Sequence, residues 1–150
     1  IMAVRLVSNS GKEVGAPAVD EPFRLRIRFR TLRRELSVRC GADFSVKRQL
    51  LFRATSDELH ELPKAGVYEA YLDIPANFLA EINYNVGVTL NIVREGKPYI
   101  LVDYSALTFM AYSAGDAKLE TAQRKGLVAP RFDWSVNFDG NRTRKMERAK

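Results

Sequence analysis

Residues Ile82–Val93 read INYNVGVTLNIV. Ile82, Tyr84, Val86, Val88, Leu90 and Ile92 share one parity, and Asn83, Asn85, Gly87, Thr89 and Asn91 share the other. A helix would scatter both sets around its axis, whereas a strand sends each to its own face. The stretch therefore predicts a strand with one face in a hydrophobic core. Its second face offers amides, a hydroxyl and a position without a side chain. Asparagine is depleted in strands, so three on one face mark either a solvated surface or a place where something is held.

The same period of two runs outward from this strand. Upstream, Gly66–Ile74 points Tyr68, Ala70, Leu72 and Ile74 inward and Glu69, Tyr71 and Asp73 outward. Pro75 to Ala80 predicts one short helical turn, and polar Ser56–Ala65 a connection. Lys47–Thr55 predicts a strand with Leu50, Phe52 and Ala54 on its core side, and Glu35–Phe44 one with Leu36, Val38 and Cys40 inward. Phe23–Thr31 alternates Phe23, Leu25, Ile27, Phe29 and Thr31 against Arg24, Arg26, Arg28 and Arg30. Ala3–Ser8 predicts a first strand and Asn9-Ser10-Gly11-Lys12 a turn. Downstream, Arg94-Glu95-Gly96-Lys97 closes a hairpin into Pro98–Tyr104, and Ala106–Ser113 gives a further strand. Asp116–Arg124 is compatible with a short helix, and Leu127–Phe138 with a last strand containing Phe132, Trp134 and Val136. Many short strands with little helix favour a β-sandwich or barrel, one domain over residues 1–140 followed by a basic tail at 141–150.

Composition narrows the function classes. The 150 residues carry a net charge of +6, but residues 23–34 alone contribute +6 and residues 141–150 another +4. The remainder is therefore mildly acidic, at −4, and the chain is an acidic body with two basic patches. No apolar run reaches the length of a bilayer crossing, and residues 1–8 do not read as a signal peptide. One cysteine, Cys40, precludes an internal disulfide and fits a reducing compartment. With one histidine as well, the usual Cys/His zinc site is not expected, and no cofactor is implied. There is no phosphate loop, no dinucleotide fingerprint, no HExxH and no nucleophile elbow. Cys40 falls on a core parity, away from any role with His60. Glu69 and Asp73 share a strand face but stand roughly 13 Å apart, too far for a glycosidase pair. The chain is read as non-enzymatic.

Two surfaces then remain. Arg24, Arg26, Arg28 and Arg30 form a stripe suited to an anionic ligand or a partner protein, or simply to solvent. Nucleic acid is not expected, because no stacking aromatics or recognition helix accompany the stripe. Asn83, Asn85 and Asn91, set beside outward residues of another strand such as Tyr71, Glu69 or Asp73, supply the directed hydrogen bonds and the ring that saccharide recognition needs. Gly87 would let a ligand or a neighbouring chain approach closely.

The segment GVYEAYLDIPANFLAEINYNVGVTL at 66–90 resembles the carbohydrate-binding C-terminal domain of the ATP-binding subunit in O-antigen polysaccharide ABC exporters. The resemblance rests on Ile74-Pro75, Leu79 and Tyr84, on VRLVSNSGKEV at 4–14 followed by FRLRIRFR, and on Gly126-Leu127-Val128 through Trp134. The chain departs from that family in having Asn83 before Tyr84, where glycine is usual, and in passing from Val46 to Phe52 without a glycine turn. The resemblance implies an immunoglobulin-like or jelly-roll β-sandwich of about eight antiparallel strands. It implies non-catalytic recognition of a completed lipid-linked polysaccharide at its nonreducing end, in the cytoplasm at the face of the inner membrane. The expected partners are the polysaccharide, a second copy of the domain, an ATP-binding domain and a transmembrane exporter subunit. The alternatives are a protein-interaction β-sandwich with a basic contact face and, ranked below it, a nucleic-acid-binding module.

Overall fold

The computed structural model describes residues 1–112 and 133–139. The expected helix at 116–124, the 127–132 portion of the last strand and the basic tail lie outside the described residues. Among the described residues there are nine strands and no helix. They are β1 (Ala3–Ser8), β2 (Phe23–Thr31), β3 (Leu36–Val46), β4 (Gln49–Thr55), β5 (His60–Leu62), β6 (Gly66–Ile74), β7 (Asn83–Arg94), β8 (Lys97–Met110) and β9 (Trp134–Phe138). One antiparallel sheet runs β1-β2-β6-β9 and the other β4-β3-β7-β8, with β5 also paired to β3. The fold is a β-sandwich, as the alternating strands require: each sheet has one apolar face, and the two faces bury each other.

The central strand behaves as its parity predicts. Tyr84, Val86, Val88 and Leu90 are buried, while Asn85, Gly87, Thr89 and Asn91 face away from the core. Leu25, Ile27 and Phe29 of β2 oppose them from the other sheet, with Ala70, Leu72 and Ile74 of β6. Aromatic rings tie the layers together. Phe44 stacks on Phe52 at 4.6 Å and meets Tyr84 and Phe109 edge-on, and Phe109 in turn meets Phe23 of the first sheet at 6.2 Å. Cys40 is buried among these side chains, and burial pushes its thiol up to about 12, so it is no nucleophile near neutrality.

Four local expectations are corrected. Leu50 is 45 % exposed rather than in the core. The β3–β4 register shifts at Phe44/Ser45, so Phe44 pairs with Phe52 but Ser45 pairs with Leu50, and Leu51 becomes the core-side residue. A one-residue slip exchanges the faces of a strand. The hairpin before it turns through Lys47 and Arg48, both at positive φ, which is how the chain passes here without glycine. The segment 75–80 turns through Asn77 at φ 60° without forming a helix, and the Asn77 amide donates to Val19 O at 2.6 Å. The connection Ser56–Ala65 contains β5, which pairs Leu36–Val38 while β4 pairs the rest of the same edge of β3. Ser56 bridges the gap between them, exchanging hydrogen bonds with the backbone of Cys40. Finally, Pro98–Tyr104 and Ala106–Ser113 are not two strands but one, β8, interrupted by a bulge.

Phe44→Ala is expected to lower unfolding free energy by about 3–5 kcal/mol. Leu50→Ala, at the position that simple alternation would bury, should stay within about 0.5 kcal/mol of wild type. Urea denaturation of both variants checks this.

Candidate functional site

The arginine stripe lies on the outer face of the first sheet, and the antiparallel register sets it against acids. Arg24 faces Asp73, Arg26 faces Tyr71 and Arg28 faces Glu69 across β2–β6. Arg24 Nε donates to Asp73 Oδ1 at 2.6 Å, Arg28 Nη2 to Glu69 Oε1 at 2.6 Å, and Arg26 Nη2 to Glu13 Oε1 at 2.8 Å. Tyr71 donates its hydroxyl to Glu69 and lies under the Arg24 guanidinium. Burial pulls the Glu69 carboxyl upward, but hydrogen bonds from Tyr71 and Arg28 and the charges of Arg28 and Arg26 outweigh it and hold the group below its ordinary value. Glu69, Tyr71 and Asp73 are thus committed to the arginines of their own sheet.

Asn83, Asn85 and Asn91 belong to the second sheet. Its outer face and that of the first sheet look in opposite directions across the sandwich. The composite site of asparagines with Tyr71, Glu69 and Asp73 is therefore not assembled.

The second sheet's outer face holds a cleft of about 600 Å³. Its floor comes from alternate residues of β3 and β7: Arg39 opposite Asn91, Gly41 opposite Thr89, Asp43 opposite Gly87 and Ser45 opposite Asn85. Thr55 and Arg53 of β4 line one side, and Ile100, Val102 and Tyr104 of β8 the other. Arg53 and Asp43 form a two-bond ion pair at 2.6 and 2.9 Å. Asn91 lines this cleft, whereas Asn83 lines a shallower depression with Lys47 and Met110.

Asn85 serves the fold. Between Val86 and Val88 the β7–β8 register jumps from Leu107 to Asp103, so extra residues of β8 bulge over Gly87. Asn85 Nδ2 donates to Tyr104 O at 3.0 Å, and Ser105 Oγ donates to Asn85 Oδ1 at 2.7 Å, so both ends of the amide hold the bulge. The missing side chain at Gly87 has the same cause: a Cβ there would sit 3.1 Å from Tyr104 O and 3.3 Å from Asp103 O. The chain that approaches Gly87 is its own neighbour. At Gly41, by contrast, an added Cβ would make ordinary van der Waals contacts, at 3.7 Å from Ala54 O and Thr89 Cβ and 3.8 Å from Thr55 Oγ1, so the floor accepts a methyl there.

Two polar atoms of the floor are buried without a hydrogen-bond partner, Arg39 Nε and Asn91 Oδ1, and they belong to residues in register with each other. Arg39, Gly41, Asp43, Arg53 and Tyr104 were not singled out by the sequence reading. The outward parity of Leu36–Val46 carries Arg39, Gly41 and Asp43 in plain alternation, but only pairing with β7 sets them beside Asn91, Thr89 and Gly87. His60 sits on β5, and no cluster of metal-ligating side chains occurs among the described residues. No protein-family model matches the chain, and no curated protein matches it either.

Gly87→Ala is expected to destabilise the domain by about 1–3 kcal/mol, because a backbone carbonyl cannot yield to the new methyl. Asn85→Ala should cost about 1 kcal/mol through the loosened bulge. Gly41→Ala should fall within about 0.5 kcal/mol of wild type. Chemical denaturation of the three variants separates the two glycines.

Proposed function

We propose that the domain is a non-catalytic saccharide-recognition module and that the cleft on the second sheet is its binding surface. The observation that carries this reading is the floor of the cleft. There Arg39 and Asn91 stand across from each other, and Arg39 Nε and Asn91 Oδ1 have no hydrogen-bond partner among the described residues. A saccharide offers both hydroxyl donors and acceptors to such a pair, and the ring of Tyr104, 83 % exposed at the wall, is placed to cover a pyranose. The resemblance to exporter domains supports a specific setting, in which the ligand is a completed lipid-linked O-antigen polysaccharide and recognition precedes export. In that setting the ATP-binding domain and the membrane subunit are the protein partners, at the cytoplasmic face of the inner membrane. The described part of the chain has no helix long and apolar enough to cross a membrane.

A second copy of the chain is the further partner proposed, and β8 supplies the contact. Tyr99, Ile100, Leu101 and Val102 are 56, 64, 49 and 42 % exposed on a strand at the edge of its sheet. The two-residue turn Glu95-Gly96, both at positive φ, makes Arg94 and Lys97 the closing hydrogen-bonded pair. Alternation then leaves the backbone groups of Ile100 and Val102, and the carbonyl of Pro98, facing the free edge. An antiparallel copy centred on Ile100 would use them, and would set Lys97 opposite the partner's Asp103 at both ends. Such an apolar edge otherwise invites uncontrolled pairing.

Calorimetric titration with O-polysaccharide purified from the source cell tests the ligand. Saturable binding by the wild-type chain is expected, with at least about a tenfold loss in Gly41→Val, whose methyls fill the floor, and no change in Arg24→Ala, on the opposite face. Absence of saturable binding by folded wild-type protein rejects the reading. Sedimentation tests the partner. A dimer is expected in the micromolar range and a 17.0 kDa monomer for Ile100→Lys, which sets like charges against each other; a wild-type monomer rejects the pairing.

A further inference from the structure

The two outer faces treat their arginines differently. On the first sheet Arg24, Arg26 and Arg28 each hold a carboxylate from the chain itself. Arg26 and Arg28 leave Nε unbonded there, but a terminal nitrogen of each is in an ion pair. In the cleft of the second sheet the charged residues are Arg39, Arg48, Arg53 and Asp43. Asp43 is taken by Arg53. Arg39 and Arg48 have no ion pair among the described residues, so the described lining of the cleft carries an excess of positive charge. One of them, Arg39, also has its Nε buried with nothing to accept from it.

A planar guanidinium in this state is complementary to a carboxylate, whose two oxygens accept from its two terminal nitrogens together. A neutral sugar hydroxyl would satisfy one donor and leave the charge uncompensated in a partly desolvated cleft. Arg48 adds a second attraction for negative charge; it is held at φ 66° in the turn between β3 and β4 and also lines the cleft. Asn91, whose Oδ1 has no partner among the described residues, lies across from Arg39 and would face a hydroxyl of the same sugar. We propose that the saccharide read by this cleft is acidic, and that Arg39 is the residue that selects it by pairing with a uronic-acid-type carboxylate. This rests on the saccharide reading above and names the class of sugar.

The test compares native O-polysaccharide from the source cell with the same polymer after carboxyl reduction, which turns each uronic acid carboxyl into a hydroxymethyl group. The native polymer is expected to bind at least about tenfold more tightly than the reduced one, with the difference narrowing as salt rises. Arg39→Gln should lose that preference while retaining the weaker affinity for the reduced polymer, and Arg39→Lys should restore it in part. Circular dichroism confirms that each variant is folded; Arg39 faces outward on β3, so both should be. Equal binding of native and reduced polymer, or a preference that survives in Arg39→Gln, overturns the inference and leaves saccharide recognition standing. Failure of the native polymer to bind at all overturns both.

Discussion

The aromatic contact chain from Phe52 through Phe44 to Phe109 and Phe23 is what the rest of the molecule depends on. It begins on the outer part of the second sheet and ends on the first, so it fixes both the separation of the layers and their lateral position. Rings that meet edge-on or offset-stacked hold a narrower range of geometries than aliphatic side chains of similar area. Phe44 sits where this constraint acts on the strand ladder. The register slips immediately after it, which lets Phe52 stay under Phe44 while the Lys47-Arg48 turn closes the hairpin. The position of the cleft floor follows, because Arg39, Gly41 and Asp43 are the outward neighbours of the residues that this packing holds inward.

The bulge in β8 is a second constraint, and it decides what the polar face of β7 can do. Of the amide-bearing positions, Asn85 is occupied in clamping the bulge and Gly87 is covered by it. The bulge also leaves Tyr104 standing at the wall of the cleft. Asn85 and Gly87 are therefore indirect contributors: they shape the wall on which Tyr104 is displayed, and leave Asn91 as the floor asparagine whose Oδ1 has no partner among the described residues.

Side-chain parity was legible along β2, β6 and β7, because each is half-buried and its pattern is set by one period. What parity cannot carry is pairing. The outward residues of β6 and of β7 read alike as polar faces, and nothing in either strand says that they belong to different sheets. The arginine stripe did contain a hint. Read antiparallel, Arg24, Arg26 and Arg28 match Asp73, Tyr71 and Glu69 at the same spacing, and that complementarity is a pairing signal between β2 and β6. The position of Leu50 and the continuity of β8 were hidden for another reason. Each depends on extra residues in one strand of a pair, and a bulge has no signature in the period of the strand that carries it.

The charge of the chain acquires its meaning only after this partition. Net charge located the basic residues in Phe23–Arg34, yet much of that local excess is compensated in the folded protein by Glu13, Glu69 and Asp73, brought in from distant segments. The two cleft arginines without an ion pair among the described residues, Arg39 and Arg48, come from a stretch whose composition is unremarkable. An arginine contributes to recognition according to what its neighbours leave unsatisfied, rather than according to how many others stand beside it in sequence. On the first face the chain supplies its own acids, and the surface is electrically closed. On the second, Asp43 is committed to Arg53, and the described lining of the cleft keeps an excess of positive charge.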